Sequence, residues 1–196
     1  MASLFDTLQA GAFRAGIQAR TDKSRNWFKK NVDALGTINR NKLLTDDALK
    51  PISDPKTGDM IMYFYDPKMK NELPYYDKFP LTILLGPTKG GFNGLNLHYL
   101  SPNVRALFLD RLMDLAPKKV TDSTRLARLR YNTIKGANKY KEFRPCFKQY
   151  LSSQVKSKIV RVPMTDWEIA IFLPTEQFKN VKAQSVWRYS RKQYSS

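Results

Sequence analysis

Arg144, Lys148 and Lys156 recur at multiples of four residues in a stretch that also carries Phe147, Tyr150, Leu151, Val155 and Ile159. The apolar spacing predicts a helix, with the apolar residues toward the core and the three cations on one row broken only by Ser152. Arg125, Arg128 and Lys135 form a similar cluster upstream, with Arg130 nearby. Aligned like charges at this spacing repel by about 0.2–0.5 kcal/mol per pair. A bound polyanion would remove that cost. Long basic side chains usually just solvate a helix surface, but a solvated face mixes signs and this one does not. The chemistry these residues point to is the holding of phosphates.

The whole chain has the same bias. Its 196 residues carry 34 Lys plus Arg against 17 Asp plus Glu, a formal net charge of +17. Residues 1–50 balance to +4 and residues 51–116 to zero, whereas residues 117–196 hold eighteen basic and five acidic side chains, a balance of +13. Such asymmetry points to nucleic acid or an anionic surface. With 42% hydrophobic and 12% aromatic residues the chain has enough apolar material for a core and does not read as a disordered basic tail.

The candidate phosphate contacts are Lys118, Lys119, Arg125, Arg128, Arg130, Lys135, Lys139, Lys141, Arg144, Lys148, Lys156, Lys158 and Arg161, joined by Arg188, Arg191 and Lys192 near the C-terminus. Contacts to phosphate hold the backbone and carry no base information. No zinc finger, basic zipper or RNA-recognition aromatic signature is present, so the expected binding is sequence-independent and steeply salt-dependent. Trp187, Tyr189 and Tyr194 leave two readings open: stacking on unpaired bases near a duplex end, or docking of the tail onto the body.

Other chemistries have little support, and no catalytic residue, metal or cofactor is expected. One His and one Cys cannot form a zinc cage within the chain, and a lone Cys forms no internal disulfide. Asp54-Pro55-Lys56 and Asp66-Pro67-Lys68, with Glu72 and Asp77, are the nearest approach to a metal-dependent nuclease motif, but Asp-Pro-Lys between strands reads as a turn. His98 sits in an apolar strand with no evident partner and reads as structural, Cys146 has no nucleophilic pair, and Gly90, Gly91 and Gly94 lack the Lys-Ser/Thr ending of a phosphate loop. No apolar run approaches the roughly 20 residues of a spanning helix, and Met1 to Asp6 do not resemble a secretory signal; no membrane partner is expected.

The predicted architecture is α+β, with a small antiparallel SH3-like β-barrel in the middle flanked by N-terminal and C-terminal helices. Residues 1–56 read as a helical arm and linker: Leu4, Leu8 and Ile17 mark a first helix, Asp22 caps a second carrying Trp27, Phe28, Val32 and Leu35, and Pro51 and Pro55 break the polar stretch from Thr37 to Lys56. Residues 57–100 read as the barrel, from the strand formers Met60 to Tyr65, through Leu81–Leu85 and the turn around Gly90, to a last strand Phe92–Leu100 with a bulge at Gly94. Residues 101–184 read as a basic helical region packed on the barrel. Ser101-Pro102 opens one helix, Thr121 or Ser123 a second with Leu126 and Leu129, and Thr165 to Glu168 form a capping box before an apolar helix ending at Pro174. Residues 185–196 form a basic aromatic tail.

Gly58–Lys68, Leu73–Leu81 and Gly91–Leu100, followed by Arg144–Leu151 and Trp167–Pro174, resemble a family of large contractile-tailed bacteriophages whose members include DNA end protector proteins; the resemblance spans Gly58 to Phe178. It implies a non-enzymatic virion protein that stays on the ends of packaged double-stranded DNA and shields them from host exonucleases after injection. The implied locations are the virion and the host cytoplasm, with portal, neck or tail proteins as further partners. The alternative is a structural neck, tail-completion or baseplate joint whose basic face docks an acidic protein ring.

Overall fold

The computed structural model describes residues 3–114, 132, 134, 136, 137 and 139–192. Helix α1 (Leu4–Arg14) starts where the Ser3 side chain accepts the Asp6 N–H. Helix α2 (Asp22–Asp33) is capped by Thr21 rather than Asp22: Thr21 and Ser24 exchange hydrogen bonds in a capping box. The stretch expected as a linker is built into the body. Asn39 caps a short helix α3 (Arg40–Leu43), Ile38, Leu43 and Leu49 are buried, and strand β1 (Lys50–Pro51) joins the sheet.

The predicted strand block is present as β2 (Met60–Met62), β3 (Tyr76–Asp77), β4 (Leu81–Thr88) and β5 (Gly91–Asn96). Helix α4 (Pro102–Asp114) comes after a 3-10 turn at Leu97–Tyr99. Then come β6 (Phe147–Leu151), β7 (Val160–Val162), helix α5 (Trp167–Phe172), β8 (Phe178–Lys179) and helix α6 (Ala183–Lys192). Six strands form one antiparallel sheet in the order β1-β7-β2-β4-β5-β6, while β3 and β8 pair separately. The fold is α+β, but the sheet is open, with β1 and β6 at its edges, and not a ladder closed into a barrel.

Both faces of the sheet are covered. Met60, Met62, Leu81, Ile83 and Leu95 pack with Phe5, Leu8, Phe28, Val32, Trp167 and Ile169 in the main core. Ile61, Tyr63, Tyr65, Leu84, Phe92 and Tyr150 form a second, aromatic core with Ile52, Val155 and Ile159 against it. That explains why all of β2 is buried and shows no alternation in exposure.

Three local expectations are corrected. The stretch after Pro145 is not a helix: Phe147–Leu151 pairs antiparallel with Gly91–Leu95, and a 3-10 turn at Ser152–Gln154 ends it. The cause is tertiary. Gly91 leaves the β5 edge open to close approach, since a Cβ there would collide with the Tyr150 carbonyl, and a strand rich in Phe and Tyr fills it. The register shift lies in β4 between Leu84 and Gly86, not at Gly94, which sits opposite Leu84 and lacks space for a Cβ against Thr82. Finally, the expected capping box at Thr165 is absent. Asp166 makes no side-chain cap; its carboxylate accepts from Gln9, while Glu168 accepts from Ser24 and the Arg20 N–H. The helix expected near Thr121, with Leu126 and Leu129, lies outside the described residues.

Candidate nucleic-acid interface

Of the predicted phosphate contacts, Lys118, Lys119, Arg125, Arg128, Arg130 and Lys135 lie outside the described residues. Arg191 is in α6, but its side chain is outside the description. The structure exposes Lys139, Lys141, Arg144, Lys156, Lys158, Arg161, Arg188 and Lys192 and half-buries Lys148.

These residues fall into two groups. Lys139 precedes and Lys141 and Arg144 lie on the 3-10 turn Lys141–Cys146, which packs against α6 with its Arg188 and Lys192. Lys148 comes next, on β6. Because Phe147–Leu151 is a strand, Arg144, Lys148 and Lys156 do not share a helical row; it is the packing of the turn on α6 that gathers the first group. Lys156 and Lys158 belong to the segment between β6 and β7, and Arg161 to β7, where it faces Lys50 across the β1–β7 pair.

Three carboxylates of the C-terminal part have partners outside this group of cations. Asp166 and Glu168 hold Gln9, Ser24 and the Arg20 backbone, and Glu176 Oε2 lies 3.5 Å from Arg105 Nη1. Arg161 Nη1 is 3.9 Å from Asp59 Oδ1. Among the described residues Lys139, Arg144, Lys158, Arg188 and Lys192 form no ion pair. Lys148 Nζ instead stands over the Tyr99 ring, 4.3 Å from its centroid, and burial lowers its pKa below the ordinary lysine value. A cation held in that way gains from an anion that reaches it.

Helix α6 replaces the expected tail. Val186 and Ser190 are buried, and Trp187 Nε1 donates to the His98 carbonyl at 2.9 Å. Trp187 therefore anchors the helix, the docking reading, whereas Tyr189 on the same helix is 51% exposed and Tyr194 lies outside the described residues. Arg105 stabilises the joint from beneath. Its guanidinium is buried and donates to the carbonyls of Leu100, Ile171 and His98 at 2.8, 3.1 and 3.3 Å, with Cζ 5.6 Å from the Trp187 ring centroid. Its position, four and seven residues before the buried Leu109 and Leu112, is a sequence signal for an inward-facing arginine.

His98 is buried and, against the sequence reading, does have partners. Nδ1 lies 2.7 Å from Asp77 Oδ2 and Nε2 lies 3.1 Å from Thr175 Oγ1, and all three residues are buried. Asp77 also accepts from Asn96 Nδ2 and from the N–H groups of Phe79 and Gln177. This acid–imidazole–hydroxyl chain ties β3, the turn after β5 and the segment after α5 together. The acidic residues of the nuclease-like motifs are dispersed: Asp54 pairs with Lys56, Asp66 with Lys70, and Asp77 is in the core.

The family model of the Phage T4 terminal DNA protecting protein matches residues 5–193. The chain belongs to this family. The match to the terminal DNA protecting family extends well beyond Gly58 to Phe178 and takes in both α1 and α6. No curated protein matches the chain, and no solved structure does.

Proposed function

We propose that this protein is a non-enzymatic, sequence-independent DNA-binding component of a tailed-phage particle that occupies the ends of the packaged duplex and shields them from exonuclease. It acts in the virion and, after injection, in the host cytoplasm. The observation that carries this reading is family membership over residues 5–193, in a chain of net charge +17 whose exposed Lys139, Arg144, Lys158, Arg188 and Lys192 form no ion pair among the described residues. Each Lys or Arg that reaches a phosphate releases condensed counterions, which gives affinity without base reading. With about 6–10 phosphates engaged, affinity falls by about 10³–10⁵ between 50 and 200 mM salt.

The platform fits an SH3-like reading in its connections. β7, β2, β4, β5 and β6 are neighbours in that order, Tyr65 and Val155 form an isolated antiparallel bridge, and the Leu151 N–H donates to Tyr65 Oη at 3.2 Å.

A second reading, a structural joint in the virion, draws on a different surface. Phe13 is 85% exposed beside a cleft of about 380 Å³ between α1, α2 and α5, lined by Ala12, Ile17, Phe28 and Ile169. Binding to a linear duplex and to a closed circle of the same sequence separates the two. Preference for the linear form together with exonuclease protection supports the end protector. Indifference to DNA, with co-purification on tails or necks, supports the joint.

A further inference from the structure

A surface made only of cations cannot tell the end of a duplex from its middle, because the phosphates are the same in both places. What an end adds is the flat π-face of its last base pair, hidden everywhere else by stacking. An end reader therefore needs an exposed aromatic ring among cations, held on a rigid support.

Among the described residues three aromatic rings are more than half exposed: Phe13, Tyr140 and Tyr189. Phe13 is on α1, away from the C-terminal cations in the chain. Tyr140 precedes a 3-10 turn and has no side-chain cap there. Tyr189 is on a helix fixed from within by Val186, by the Trp187–His98 hydrogen bond and by Ser190, whose Oγ donates to the Tyr99 carbonyl at 3.3 Å. Lys192 lies three residues further along the same helical face, and Arg188 is adjacent.

Helix α6 also packs on the 3-10 turn Leu97–Tyr99, whose Tyr99 belongs to a bed of rings. Tyr75 packs 6.2 Å from both Tyr99 and Phe178, and Tyr99 and Phe178 are 5.1 Å apart. Lys148 Nζ stands over the Tyr99 ring, 4.3 Å from its centroid. The helix that carries Tyr189 is thus seated on a cluster of aromatic rings, one of which has the Lys148 ammonium over it.

We propose that Tyr189 is the end-reading element: it stacks on the terminal base pair of the duplex, while Arg188, Lys192 and Lys148 take the phosphates beside that pair. This rests on the end-binding reading above and adds the physical basis of its selectivity.

The test measures affinity of the full chain for a blunt linear duplex and for a covalently closed circle of the same sequence, at one salt concentration. Tyr189→Ala is expected to weaken binding to the linear duplex roughly 5- to 100-fold, the range of one base–aromatic stack, and to leave the circle unchanged. Tyr189→Phe retains the preference because the ring, not the hydroxyl, makes the stack. Lys192→Ala weakens both substrates alike. A thermal melt of Tyr189→Ala that matches the parent establishes that the helix is still docked. The inference is overturned if Tyr189→Ala keeps the full preference for ends, if it weakens both substrates equally, or if Tyr189→Phe behaves like Ala. A parent protein that ignores DNA, or binds circle and linear duplex alike, instead overturns the end-binding function itself.

Discussion

His98 Nδ1 lies 2.7 Å from Asp77 Oδ2 in a site where both side chains are essentially inaccessible to water. Burial alone would raise the Asp77 pKa, but His98 and the hydrogen bonds from His98 and from the Phe79 and Gln177 N–H groups hold it below the ordinary carboxylate value of 3.8. Removing either partner takes from the other its shortest side-chain hydrogen bond inside the core. His98→Ala and Asp77→Ala should each cost about 3–5 kcal/mol, read by urea unfolding. A depressed carboxyl pKa adds stability that is full above the unfolded value and is lost as pH falls through the folded one. Asp77→Asn should therefore flatten the loss of stability on the acid side, below about pH 4.

Asp166 behaves in the opposite sense. Its pKa is raised to about 6, by burial first and then by Asp6 and Asp46, with the bond from Gln9 opposing. Here the folded protein holds the proton more tightly than the unfolded chain, so the contribution is present below the unfolded value and lost as pH rises through about 6. Asp166→Asn mimics the protonated form and keeps an acceptor for Gln9. Its melting temperature should exceed the parent's at about pH 8, and the difference should shrink by about pH 5. A variant less stable than the parent at both pH values would show that the carboxylate charge is needed for packing.

Cations that hold phosphates reveal themselves through counterions. Arg144→Ala, Lys158→Ala and Arg188→Ala should each reduce the slope of log affinity against log salt by about 1, and should weaken binding evenly across duplex sequences. A variant with an unchanged slope marks a residue that does not reach the backbone.

Gly94 faces Leu84 where a Cβ would run into Thr82 Cγ2. Gly94→Ala should destabilise the protein by about 1–3 kcal/mol through overpacking. Thr82→Ser in the same chain removes the offending methyl, keeps the hydroxyl beside Tyr63 Oη and should restore part of that loss, measured by chemical unfolding.

Lys148 is partly desolvated with the Tyr99 ring beneath its ammonium, and burial lowers its pKa. Lys148→Met keeps the length of the chain over Tyr99 and removes the buried charge. The melting temperature should hold or rise while DNA affinity falls. Loss of stability without loss of affinity would assign Lys148 to the fold alone.

From its own residues the chain sets what depends on near neighbours. The strand formers Met60–Met62 and Leu81–Leu85, the Pro102 start of α4, the stop of α5 before Pro174 and the charge balance of +13 in residues 117–196 are readable because strand propensity, proline geometry and composition act within a few residues. Tertiary structure decided the rest. Phe147–Leu151 has apolar spacing that also suits a helix, and it is a strand because Gly91 leaves the β5 edge open to it. His98 finds Asp77 and Thr175 at sequence separations of 21 and 77, and Trp187 finds the His98 carbonyl at a separation of 89. Those partners meet only when the sheet and α4 are assembled, so no local pattern encodes them. The same assembly turns a basic tail into a docked helix that half-buries Trp187 and leaves Tyr189 exposed.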